Sequence, residues 1–177
     1  MGGQGVGKGT FARMLREHHE YNYIETGKML RDAAATNKDI AETMARGELL
    51  PFETLVKLVS DNIVKDQDVL LDGFPRTLEQ AKWLMDNYAG KFDIHVLYLD
   101  VPEEIMVKRI QKRIREGGGR ADDADASAVR KRLETFWKTT KPAIDWLSTV
   151  SSIKFSDVDV RGDLEDNFKN IQAALEQ

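Results

Sequence analysis

Gly2-Gly3-Gln4-Gly5-Val6-Gly7-Lys8-Gly9-Thr10 carries the spacing G-x-x-x-x-G-K, and an amphipathic helix begins directly after it. Glycines let the chain curl until successive backbone N–H groups face one anion. The helix that follows turns its positive end to the same point. Lys8 adds a point charge suited to β- and γ-phosphates. The hydroxyl residue that usually follows the lysine sits one place later, as Thr10, with Gly9 between. On its own the stretch says that the chain holds nucleotide phosphates. It also predicts an α/β fold with a parallel sheet.

Working outward, Asp72-Gly73-Phe74-Pro75-Arg76-Thr77 follows the compact apolar run Val69-Leu70-Leu71. A carboxylate at a strand's carboxyl end, beside a phosphate loop, organises a magnesium shell, so Asp72 is the metal candidate, acting through water. Gly73 permits close backbone approach, Pro75 stiffens the turn, and Arg76 is then a bidentate phosphate ligand. A plain Asp-Gly turn is the competing reading; the phosphate loop outweighs it. Arg31, Arg76, Arg109, Arg113, Arg120 and Arg132 lie in separate segments. Transfer between two nucleotides gathers several phosphates and is accelerated by positioning and fixed positive charge, for which convergent arginines serve. Any one arginine by itself reads equally well as a solvated helix face. His18, His19 and His95 have no ligand partners at metal spacing, and Trp83, Trp137 and Trp146 read as core or half-buried helix residues.

The remaining pattern alternates helices and short strands. Helices are predicted over 8–19, 27–35, 38–46, 52–64, 77–88, 102–114, 127–149 and 164–175, and strands over 21–24, 69–71, 94–99 and 153–156. Gly47 reads as a helix stop and Pro51 as a helix start. The two strands 69–71 and 94–99 have the continuous apolar character of a sheet covered on both faces. Glu116 to Arg120 is the most glycine-rich stretch. With 177 residues, 41% hydrophobic and 32% charged, the chain fits one compact domain. A net charge of −4 carries no nucleic-acid signature, and the absence of cysteine excludes disulfides and thiolate zinc sites. No apolar run reaches the roughly 18 residues of a membrane span, and no signal-peptide pattern is present, so a cytoplasmic protein is expected.

Taken together, these residues resemble the adenylate kinase family along nearly the whole chain. The resemblance implies a three-layer P-loop kinase fold, a parallel sheet flanked by helices, with an AMP-binding insert over about 25–50 and a short, zinc-free lid over about 113–123. It implies ATP binding by Gly5, Val6, Gly7, Lys8, Gly9 and Thr10, by Arg109 and Arg113 entering the lid, and by Gly162 in the loop 159–162 whose backbone packs on adenine. Thr26-Gly27-Lys28-Met29-Leu30-Arg31 resembles the family's TGDMLR segment, which implies Thr26 near the AMP base and Arg31 on its phosphate. Gly47 to Pro51 resembles the stretch whose backbone lines the AMP pocket, hence Glu48, Leu49 and Leu50. Asp72 to Thr77 with Gln80 resembles the most specific signature: Gly73 and Phe74 at the AMP pocket, Arg76 on the phosphate, Gln80 on the adenine edge. Gly119 to Asp123 resembles the lid exit and Arg132 to Phe136 the helix after it, giving Arg120 and Arg132 to AMP and to catalysis. The implied reaction is phosphoryl transfer from Mg-ATP to AMP, with Lys8, Arg76, Arg113, Arg120 and Arg132 as the catalytic charges, in a monomer.

Four departures stand out. Lys28 replaces an acid, Gln4 replaces a common proline, and one extra residue lies between Asp123 and Arg132. Above all, only Met1 precedes the loop, where the family has a central strand between those ending at Leu71 and starting at Ile94. Its omission predicts either a gap in the sheet or another segment in the slot, with unpaired backbone on both neighbours. A UMP/CMP kinase and a catalytically weak nucleotide-binding module remain alternatives; Thr26, Thr77 and Gln80 favour AMP.

Overall fold

The computed structural model describes residues 1–46, 48–117 and 126–176. Helices and parallel strands alternate: α1 (Lys8–His18), β1 (Asn22–Glu25), α2 (Thr26–Ala34), α3 (Lys38–Ala45), α4 (Phe52–Ser60), β2 (Val69–Asp72), α5 (Leu78–Tyr88), β3 (His95–Asp100), α6 (Glu103–Arg115), α7 (Ala126–Thr135), α8 (Lys141–Leu147), β4 (Lys154–Asp159) and α9 (Leu164–Glu176). The α/β class expected from the sequence is the one observed.

Local chemistry sets the boundaries. Asn37 caps α3 by accepting from Asp39 N and Ile40 N, and Thr77 caps α5 by accepting from Gln80 N. Glu103 and Glu104 open α6, and Lys112, Arg113 and Arg115 close it, each end matching the helix dipole. Helix α4 stops at Ser60, short of the expected 64, because Ser60 Oγ and Asn62 Nδ2 donate to the carbonyls of Lys57 and Leu58. The expected helix 127–149 is interrupted by a wide π-helical turn, Phe136–Thr140. Pro142 has no N–H to give to the Lys138 carbonyl, so a regular α-helix cannot run through. Trp137, on that turn, is 39% exposed, at the outer end of the core or half-buried placement expected of it, and its Nε1 donates to Glu103.

The sheet is in two pieces. β1 pairs parallel with β2 in the register Asn22↔Val69 to Glu25↔Asp72. β3 pairs parallel with β4 from His95↔Lys154 to Asp100↔Asp159. Among the described residues no ladder joins β2 to β3. Of the two outcomes expected for the slot, the gap is the one found. Met1 occupies its end: its amine donates to the Leu97 carbonyl, and Leu99 N donates to the Met1 carbonyl at 3.0 Å. A cavity of about 2400 Å³ runs through the slot, bounded by Val69 to Leu71 on one side and Ile94 to Leu97 on the other.

This corrects one reading of the sequence. Val69, Leu70 and Leu71 were expected to be covered on both faces, yet all of β2 is only half-buried, because its inner edge faces that cavity. The apolar core is divided accordingly. One cluster, with Phe11, Met106 and Phe136, lies under the phosphate loop; another, with Leu30, Val59 and Phe74, lies under α2 and α4; a third joins Ala81, Val96, Ala143 and Leu147. An extended apolar segment in the slot would pair with both edges and bury aliphatic side chains at ~1.5–3 kcal/mol each. A variant carrying about five to seven apolar residues ahead of Gly2 is therefore expected to melt about 10 °C or more above the 177-residue chain. Superimposable thermal melts of the two would show that the slot is not a strand position.

Candidate active site

The phosphate loop wraps the start of α1. Gly7 takes the N-cap position with φ 101°, and its carbonyl accepts from Phe11 N at 3.0 Å. Gly5 lies so close to α6 that a Cβ there would sit 2.6 Å from the Met106 carbonyl oxygen. Lys8 folds back over the loop, its Nζ donating to the carbonyls of Gly2 (2.9 Å) and Gly3 (2.6 Å). Gln4 Nε2 donates to the Val129 carbonyl at 2.8 Å. The proline-to-glutamine departure thus ties the loop to α7, the helix that carries Arg132. Arg109 reaches from α6 to the carbonyls of Val6 (3.4 Å), Val160 (2.6 Å) and Gly162 (3.3 Å). One guanidinium therefore joins the phosphate loop to the segment after β4, and burial lowers its pKa.

The second wall is the turn after β2. Gly73 has φ 87°, and a Cβ there would lie 2.5 Å from Thr26 Oγ1 and 2.9 Å from Arg76 Nη2; only glycine fits. Arg76 is gripped along its backbone and side chain. Its N–H donates to Gln80 Oε1 (2.7 Å), its carbonyl accepts from Thr140 Oγ1 (2.9 Å), and its Nε donates to the Gly73 carbonyl (2.7 Å). Thr26, 1% exposed, donates to the Asp72 carbonyl at 3.2 Å. Arg31 arrives from α2: a Cβ at Gly27 would lie 3.2 Å from Arg31 Nη1 and 3.7 Å from Arg76 Nη2. Two guanidinium groups thus converge at the first turn of one helix, an arrangement made for an anion.

Asp72 joins the two walls. A Cβ at Gly9 would meet its Oδ2 at 3.8 Å. Its hard oxygen faces the start of α1 near Thr10, a donor set that suits magnesium. Tyr23 donates toward Asp72 Oδ2 and Glu25 Oε2, both at 3.3 Å. Burial first, then the Asp72 and Glu25 charges, push the Tyr23 phenol well above its usual value.

Gly5 to Thr10, Thr26, Arg31, Glu48, Leu49, Leu50, Asp72, Gly73, Phe74, Arg76, Arg109, Arg113, Arg132 and Gly162 all border a single large cleft among the described residues. Gln80 does not: it is 2% exposed, with its side-chain oxygen committed to Arg76 N. Gly47, Arg120 and the lid residues 118–123 lie outside the described residues. Sequence reading missed Thr140, Tyr23 and Glu25. Thr140 carries no local signal, whereas the polar pair Tyr23 and Glu25, two apart on a strand, marks one strand face.

Comparison with known proteins gives the family. The adenylate kinase family model matches residues 1–152. An adenylate kinase of Parvibaculum lavamentivorans is 39% identical over an alignment covering 93% of this chain and 88% of the relative. One from Prochlorococcus marinus strain MIT 9301 is 36% identical, covering 90% and 88%. Adenylate kinase isoenzyme 1 of Sus scrofa is 32% identical, covering 99% and 92%. With a family match across most of its length and relatives of this similarity, the chain belongs to the adenylate kinase family.

Proposed function

We propose that the cleft carries phosphoryl transfer from Mg-ATP to AMP, giving two molecules of ADP. The observation that carries this reading is the convergence of Arg31 and Arg76 at Gly27, in the same cleft as Lys8 and the phosphate loop. One anion site alone would suit any nucleotide binder. Two, facing each other, suit a donor and an acceptor.

The loop N–H groups and Lys8 hold the donor phosphates; for this Lys8 leaves the carbonyls of Gly2 and Gly3. Arg31 and Arg76 hold the acceptor phosphate, with Thr26 and Gly73 shaping the pocket beside them. Arg113 and Arg132 bring charge from α6 and α7 to the transferring group, and Arg120 completes the set. Magnesium bound with ATP would neutralise phosphate charge beside Asp72, which holds it through water. Arg109 fixes the Gly162 backbone against the loop, forming the ATP adenine seat. Glu48, Leu49 and Leu50 line the AMP pocket, and Gln80, buried behind the turn with its oxygen on Arg76 N, holds the arginine rather than the adenine edge. The lid over about 113–123 excludes water, which would otherwise accept the phosphoryl group. Cytoplasmic placement and a monomeric state belong to the same proposal; no described helix is long and apolar enough to cross a membrane.

A coupled assay for ADP formation, comparing AMP with CMP, UMP and GMP, tests the reading; absence of AMP preference would overturn it. Lys8→Ala and Arg76→Ala are each expected to lower kcat by ~10²–10³-fold, the usual effect of removing one fixed charge from such a transition state. Wild-type kinetics in either variant would take that residue out of the site. Thr26→Ala should erode the preference for AMP more than the maximal rate, whereas adding Gln80→Ala should lower the rate as well, since Gln80 holds the Arg76 N–H. An unchanged preference would show that the base is read elsewhere.

A further inference from the structure

β1 carries two side chains that the transfer described above does not use. Tyr23 and Glu25 project to one face of the strand. The Glu25 carboxylate is occupied at both oxygens: Oε1 accepts from Arg31 Nη2 at 2.9 Å, and Oε2 accepts from the Tyr23 hydroxyl at 3.3 Å. The same hydroxyl lies 3.3 Å from Asp72 Oδ2, and the Arg16 guanidinium covers the Tyr23 ring, 4.9 Å from its centre. Arg31 is therefore held by one edge of its fork. The other edge, Nη1, is the part nearest Gly27, where Arg76 Nη2 also arrives.

We propose that Glu25 is a positioning residue for the acceptor phosphate, orienting Arg31, and that the Tyr23 hydroxyl fixes Glu25 in turn. The proposal rests on the assignment of the AMP phosphate to Arg31 and Arg76. An unbraced arginine has several rotatable bonds to immobilise on binding. A carboxylate on its far edge sets the guanidinium plane beforehand and leaves Nη1 toward the ligand. The carboxylate also lowers the local positive potential, but it pairs on the Nη2 edge, away from the phosphate, so prior orientation prevails. Tyr23 has one proton to share between Glu25 and Asp72. It therefore ties the acceptor side of the cleft to the carboxylate beside the phosphate loop.

Calorimetric binding of AMP and of adenosine to the full chain, without ATP or metal, tests this. Wild-type protein must bind AMP more tightly than adenosine; failure there would bring down the acceptor-site assignment itself. Given that, Glu25→Gln is expected to weaken AMP about tenfold and Tyr23→Phe about threefold, with adenosine unchanged in both. Unchanged or tighter AMP in Glu25→Gln would overturn the proposal, since the carboxylate would then be idle or a competitor. Equal weakening of AMP and adenosine would also overturn it, as damage to the pocket at large. Unchanged AMP in Tyr23→Phe would remove the tyrosine from the brace.

Discussion

Everything in the site hangs on the backbone of Arg76. Its N–H and carbonyl are fixed by Gln80 of α5 and Thr140 of the wide turn, and its Nε by the Gly73 carbonyl. Two near neighbours in the chain and one residue 64 positions away thus place one guanidinium. Each of these hydrogen bonds contributes only ~0.5–1.5 kcal/mol to stability. Their larger effect is geometric, because a charge serves a developing transition state only where it is already aimed. The same turn receives Thr26 from α2. Helix α2, helix α5 and the wide turn after α7 therefore meet at five consecutive residues.

The sheet tells the opposite story, of an interaction not made. Strands are stabilised as much by ladder bonds as by buried side chains, and an inner edge without a partner loses both. β2 is composed for a fully covered position and is half-buried instead. The slot beside it opens into the same cavity as the nucleotide cleft. The phosphate loop starts from Met1, which holds β3 by two backbone hydrogen bonds. On the β3 side the loop is anchored by Met1, and Gln4 ties it to α7.

Much of this was legible in the sequence because it is local. The glycine spacing around Lys8, the Asp72 to Thr77 turn and the helix caps are short-range chemistry, and the elements appear where that chemistry puts them. β4 was set too early, over 153–156, because Asp157 and Asp159 look unlike strand interior; their side chains flank Val158, which alone of the three is buried. The uses of Gln80 and Thr140 were not legible, since each depends on a tertiary approach to Arg76. Gln80 illustrates the limit: it was expected on the adenine edge, whereas its oxygen is taken by a backbone N–H that only the folded turn presents.

The π-helical turn at Phe136–Thr140 has a mechanical consequence. A regular helix through this region would make α7 and α8 one rod, so that displacement at Arg132 would lever Ala143 and Leu147 out of the core. The wide turn separates them. α8 packs on α5 through Ala81, Ala143 and Leu147, while α7, with Arg132, is tethered to Gln4. Deleting one residue from the turn would leave Pro142 still interrupting the helix, and at about 100° per residue it would rotate α8 off its seat. Chain length here is thus fixed by the seating of α8 on α5.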